Sequence, residues 1–209
     1  MSTVEPVSVS APGELLPLHA ASARIPSTRA AKRTSASLAH CPVEKRLHLL
    51  RHAKSSWGDS SLADRDRPLA PRGRKAAKRI GRYLRENEIR PELVLCSSSV
   101  RTQQTLERLA LPRETPVELD ERLYAASAED ILERLCDVAA SVNSVLVIAH
   151  NPGLEELALE LASSGPDRER LAEKFPTGAL ASLRFDGGWD ELTPGACTLV
   201  GYVVPRELG

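Results

Sequence analysis

Three short apolar runs constrain what this chain can fold into. Arg46–Leu50, Leu93–Cys96 and Ser144–Ala149 are built mainly of Leu, Val and Ile. They are too short for helices and have the composition of strands buried on both faces of a sheet. Between them the apolar spacing changes to three and four. Pro71–Glu88 places Ala76, Ala77, Ile80, Tyr83 and Leu84 on one face, and Ala128–Ala139 does the same with Ile131, Leu132, Leu135 and Val138. Both read as amphipathic helices, the first opened by Pro71 and closed off before Pro91. Val100–Leu109 and Gly153–Ala162 are predicted helices, and Val117–Leu119 a short strand. Ala179–Phe185 and Thr198–Val203 are predicted late strands, separated by the turn Asp186-Gly187-Gly188. Strands alternating with helices predict an α/β fold, a three-layer α/β/α sandwich around a mostly parallel sheet.

The bulk properties bound the partners. A chain of 209 residues with 42% hydrophobic content supports one domain, expected over residues 45–209. Residues 1–44 are rich in Ala, Ser, Pro and Thr and read as a flexible tail. Arg24, Arg29, Lys32 and Arg33 there resemble an organelle transit peptide, but Glu5 and Glu14 oppose that reading. Lys+Arg and Asp+Glu both number 28 and aromatic residues are 3%, so no nucleic acid partner is expected. No apolar run approaches the roughly 20 residues of a membrane span, so no membrane partner is expected either. Cys41, Cys96, Cys136 and Cys197 are far apart, as in reduced thiols of a cytoplasmic protein rather than a disulfide frame or zinc site. No carboxylate cluster of the Mg²⁺-binding type is evident, and no cofactor is expected.

The chemistry gathers where the apolar runs end. Arg51-His52 closes the first; Ser97-Ser98-Ser99-Val100-Arg101 follows the second; His150-Asn151-Pro152-Gly153 follows the third. Taken singly, each has an ordinary explanation: a surface cation, a helix cap, a turn. Together they deliver two arginines and two histidines to one edge of one sheet, where α/β folds bind ligands. Two guanidinium forks favour an oxyanion, phosphate above all. Arg101 in the first turn of its helix and His150 just ahead of another add backbone N–H groups and helix dipoles to that field.

These residues resemble the histidine phosphatase superfamily, related to phosphoglycerate mutase, and most closely its small branch of SixA-like phosphohistidine phosphatases. The run Leu49-Leu50-Arg51-His52-Ala53-Lys54-Ser55-Ser56-Trp57 carries the resemblance, with Asp66-Arg67-Pro68-Leu69-Ala70-Pro71-Arg72-Gly73 after it. Ser97-Ser98 with Arg101 and Thr105, Leu123-Tyr124-Ala125, His150-Asn151-Pro152-Gly153 and Phe175-Pro176-Thr177-Gly178-Ala179 extend it over about residues 45–207. Ala53 stands where the mutase-like branches usually have Gly, a change the small branch tolerates. The resemblance implies a phosphoglycerate mutase-like fold and a covalent phosphohistidine on His52. It makes Arg51, His52, Arg101 and His150 the catalytic set, with Arg51, Arg101, Ser97 and Asn151 binding substrate.

The leaving group separates the substrate classes. Ester hydrolysis gains from a general acid, whereas an imidazole, which ordinarily titrates near pH ~6.5, departs without one. The family's esterase branches place a Glu in a Leu-x-Glu-Arg setting, which Leu119-Asp120-Glu121-Arg122 matches locally. Glu121 is thus the candidate acid, although an exposed charged turn is the favoured reading. Only some fifty residues separate Arg101 from His150, leaving no room for a helical lid. A shallow pocket is therefore expected, rimmed by the polar loop Trp57–Arg67. It suits a phosphorylated protein better than a small phosphate substrate. The expectation is a phosphohistidine phosphatase acting on protein. The alternatives are a broad small-molecule phosphomonoesterase or a phosphate-binding adaptor without turnover.

Overall fold

A computed structural model describes residues 44–209; the predicted tail lies outside the described residues except for Glu44, which opens the first strand. The elements in chain order are β1 (Glu44–Arg51), α1 (Pro71–Glu86), β2 (Leu93–Ser97), α2 (Val100–Leu109), β3 (Val117–Asp120), α3 (Ala128–Cys136) and β4 (Ser144–Ala149). They continue with α4 (Gly153–Leu161), β5 (Ala162–Ser164), α5 (Arg168–Glu173), β6 (Leu180–Asp186) and β7 (Cys197–Val203). The seven strands among the described residues form one sheet in the order β3-β2-β4-β1-β6-β7-β5. β1, β2, β3 and β4 pair in parallel, and β5 pairs in parallel with β7. Only β6 runs against both of its neighbours. The sheet is therefore mixed, with a parallel half that carries the three apolar runs.

Alternation along the strands produces the three layers. Leu47 and Leu49 of β1, Leu95 of β2, and Val145 and Val147 of β4 share one buried cluster with Ile131 and Leu135 of α3 and Leu154 and Leu157 of α4. The intervening residues Leu50, Val94, Cys96, Leu146 and Ile148 face the other way, against Ile80 and Leu84 of α1 and Leu109 of α2. Each fully buried Leu or Ile stabilises the fold by roughly 1.5–3 kcal/mol relative to exposure. α1 sits close to the end of β1 because Gly73 has no Cβ; one there would stand 2.1 Å from the Lys54 carbonyl oxygen.

Two differences from the sequence reading have physical causes. α3 stops at Cys136, three residues before the predicted end. Val138 still turns into the core because its N–H donates to the Leu135 carbonyl (3.0 Å), which prolongs the apolar spacing past the helix. β5 and α5 were not anticipated, since Leu171 is the one apolar anchor in α5 and β5 has only three residues. No helix among the described residues is long and apolar enough to cross a membrane.

Candidate active site

The carboxyl ends of β1, β2 and β4 bring the predicted residues together. The backbone at the end of β1 is held from several sides. The N–H of Arg51 donates to the Ala179 carbonyl (3.0 Å), that of His52 to Ala149 (3.1 Å), and that of Gly178 to both Arg51 (3.0 Å) and His52 (3.1 Å). Gly178 does this at φ +82°, a left-handed conformation that favours glycine, and a Cβ there would stand 2.8 Å from Pro205 Cγ. The Thr105 hydroxyl links β1 to α2. It accepts from the Ala53 N–H (3.1 Å) and donates to the Arg101 carbonyl (2.7 Å).

His52 and His150 face each other, with ring centroids 5.0 Å apart and planes inclined by 54°. His52 Nδ1 lies 2.8 Å from the Ala53 carbonyl oxygen. A carbonyl only accepts, so Nδ1 carries the proton and Nε2 keeps its lone pair. Arg101 Nη2 donates to His150 Nδ1 (3.3 Å), which puts the His150 proton on Nε2, 2.9 Å from Ser97 Oγ. Burial lowers the His52 pKa to about 4; the Ala53 bond opposes this, while Arg101 and Arg51 lower it further. His150 is lowered to about 3 by burial first, then by His52 and Arg101. Both imidazoles are neutral near pH 7. Arg51 donates through Nη1 to the Phe175 carbonyl (2.6 Å), and its buried Nε has no partner among the described residues. A buried donor without a partner invites a ligand oxygen.

The remaining predicted residues divide. Ser97 is fully buried and bonded to His150, so its contact is with the imidazole. Asn151 donates to Glu155 (2.5 Å) and to the Phe175 carbonyl (3.3 Å), bracing the backbone that Arg51 also holds. Glu121 starts a single helical turn, Glu121–Leu123, with its side chain 69% exposed and ion-paired to Arg65. The Arg65 bond holds its carboxyl below the usual range.

The sequence reading missed the role of Asp64. It lies in the rim loop, in a turn over Asp64–Asp66, and reaches Arg101. Arg101 donates through Nη1 to the Asp64 carbonyl (2.5 Å) and through Nη2 to its carboxylate (2.9 Å). The Tyr124 hydroxyl donates to the same carboxylate oxygen (3.1 Å) and Arg67 to the other (2.9 Å). Burial would raise the Asp64 pKa, but Arg101, Tyr124 and Arg67 together hold it below the usual range. Tyr124 also stacks edge-on against His150, with centroids 5.6 Å apart. The alternating charges of Asp64-Arg65-Asp66-Arg67 marked a polar rim, but nothing in their spacing showed which one meets Arg101. Among the described residues, no group of three or more His, Cys, Asp or Glu is placed to hold a metal ion.

Residues 47–131 match the histidine phosphatase superfamily, branch 1. A protein of Mycobacterium tuberculosis is 44% identical over 161 residues, covering 75% of this chain and all of the relative. Among solved structures, one given the name SixA, from Nakamurella multipartitia, is 30% identical, with a TM-score of 0.69, covering 78% of this chain and 98% of that one. The protein histidine phosphatase SixA in complex with tungstate is 26% identical, with a TM-score of 0.65, covering 78% and 99%. The chain therefore belongs to the histidine phosphatase superfamily and is a phosphatase of that family. Within the superfamily it falls in the SixA-like branch.

Proposed function

We propose that the protein is a phosphohistidine phosphatase acting on phosphorylated protein, with His52 as nucleophile. Arg51 and Arg101 bind the phosphoryl oxygens by planar charge-assisted hydrogen bonds. His52 Nε2 attacks phosphorus and the P–N bond to the substrate ring breaks; that ring, protonated on its other nitrogen, takes the electron pair of the bond and leaves as neutral imidazole. Water then attacks phospho-His52, releasing phosphate and restoring the imidazole. His150, positioned by Ser97, contacts the transferring group. Asn151 steadies the backbone beside Arg51. The scheme uses no metal, so turnover should persist in EDTA.

The observation that carries the choice of substrate is the state of the two rim carboxyls. Asp64 and Glu121 are both ion-paired to arginine and held below the ordinary carboxylate range. Neither offers a proton to an alkoxide, whereas a leaving imidazole needs little help. The description of the tungstate-bound relative as a protein histidine phosphatase supports a protein substrate. The test compares turnover of a phosphohistidine protein and an alkyl phosphate by wild type and Glu121→Gln. The proposal expects faster N–P cleavage and little effect of Glu121→Gln on either rate. Efficient alkyl phosphate turnover that depends on Glu121, with phosphohistidine ignored, would favour the phosphomonoesterase instead.

A further inference from the structure

Beside the candidate active site lies a cavity of about 540 Å³ that the scheme above leaves unused. Its walls come from four stretches of chain: Arg51 at the end of β1 with Lys54 beyond it, Arg72, Ala76 and Arg79 along α1, Lys174, Pro176 and Thr177, and Val204–Arg206 at the carboxyl end. Among the described residues, six that line it are cations, namely Arg51, Lys54, Arg72, Arg79, Lys174 and Arg206, and no Asp or Glu does. The whole chain has equal numbers of acids and bases, so this wall is a local segregation of charge. Eight other arginines form ion pairs among the described residues, but none of these six cations does.

The local structure makes the segregation costly in the absence of a ligand. The first turn of α1 has no acidic residue and bears Arg72 and Arg74, opposite to what the helix dipole favours. Like charges converging on a concave, low-dielectric wall repel one another and concentrate a field that attracts anions. Arg72, Ala76 and Arg79 follow helical spacing, so α1 presents them on one side. Ala76, Pro176, Val204 and Pro205 add an apolar floor. The volume lies in the roughly 300–1,000 Å³ range of small-molecule sites. Arg51 belongs to both this cavity and the histidine pair, and its Nε is the buried donor without a partner among the described residues.

We propose that this cavity is a second anion site that takes a phosphate-bearing small molecule with two or more phosphate groups. Arginines from several directions suit tetrahedral oxyanions, which accept forked hydrogen bonds. Concavity favours a compact polyanion over an acidic protein segment, which a flat basic surface would serve. The ligand is either a substrate with its second phosphate in the cavity or a separate molecule acting beside the substrate. The inference goes beyond the phosphohistidine reading and does not depend on which bond His52 cleaves.

Calorimetry with inorganic tripolyphosphate on the full chain tests it, using wild type, Arg101→Ala and the double variant Arg72→Ala/Arg79→Ala. One-site binding is expected in wild type, retained within about threefold in Arg101→Ala and weakened about tenfold or more in the double variant, as for loss of charge-assisted hydrogen bonds. The double variant should keep wild-type thermal stability and phosphohistidine turnover without tripolyphosphate. Competitive inhibition of wild-type turnover identifies a ligand reaching His52, hence a second phosphate on a substrate. A change in kcat at constant KM identifies a separate molecule. Absence of wild-type binding, or binding lost in Arg101→Ala and kept in the double variant, overturns the proposal. So does tighter binding of an oligoglutamate peptide with the same dependence on Arg72 and Arg79. Failure of phosphohistidine turnover alone would overturn the function proposed above and leave the calorimetric result intact.

Discussion

Asp64 occupies the guanidinium of Arg101 that a phosphoryl group would use, so replacing it should tighten anion binding. In Asp64→Asn one negative charge disappears beside the anion seat. The Asn side-chain oxygen can still accept from Tyr124, and the Asp64 backbone carbonyl still accepts from Arg101 Nη1 (2.5 Å). Arg101 also keeps His150 Nδ1 at 3.3 Å, so the fork stays in place. The Asp64 side chain is 55% exposed, which calls for a solvent-weighted dielectric. Two unit charges about 5 Å apart at an effective dielectric of about 60 interact by about 1 kcal/mol. Removing that repulsion should lower the inhibition constant of inorganic phosphate about fivefold. The gain should shrink as salt is added, because an exposed carboxylate is screened. The assay is competitive inhibition of turnover by phosphate at low and high ionic strength. An unchanged or larger inhibition constant would show that the carboxylate positions Arg101 rather than competing with the substrate.

Three other perturbations follow from the same geometry. Arg101→Ala should cost roughly 2–4 kcal/mol of transition-state stabilisation, the scale of a lost oxyanion donor, and Arg101→Lys should recover only part of it in kcat/KM, since a point charge lacks the fork. Gly73→Ala should lower stability by roughly 1–3 kcal/mol, read by urea unfolding, because the new Cβ meets the Lys54 backbone rather than a flexible side chain. The His52 pKa is depressed from 6.5 to about 4, so between those values the unfolded chain binds more protons and stability falls as pH is lowered. Between pH 7 and 5 wild type should lose up to about 2 kcal/mol more than His52→Gln in urea unfolding, while any acid limb of kcat/KM due to His52 lies near pH 4.

The parallel half of the fold was legible because its strands are buried on both faces and its helices on one. Leu47, Leu49, Val145 and Val147 could only be sheet core, and Val100–Leu109 and Ser144–Ala149 match their predicted bounds. β5 and α5 were not legible, since a three-residue strand and a six-residue helix anchored by Leu171 carry too little periodicity. That Arg51, His52, Arg101 and His150 lie together was legible because each sits at or just beyond a strand end, and parallel strands bring such ends together. Ser97 was expected at the substrate, yet its full burial behind His150 depends on the register of β2 against β4. Asp64 and the cationic cavity were hidden for another reason. Both depend on loops and on residues far apart in sequence, such as Lys54, Arg79 and Arg206, which no spacing rule connects. The expected shallow pocket took no account of that cavity.

The central claim is that His52 Nε2 carries the phosphoryl group between substrate and water, and trapping that intermediate tests it most directly. A protein substrate labelled with radioactive phosphate on histidine would be mixed with the full chain and quenched in alkali, which preserves N–P bonds. Wild type should hold an acid-labile, alkali-stable label that maps to His52. His52→Ala should hold none and turn over nothing while keeping its circular dichroism spectrum, since this histidine follows the strand rather than filling the core. Label on another residue, or near-wild-type turnover by a folded His52→Ala, would contradict the account.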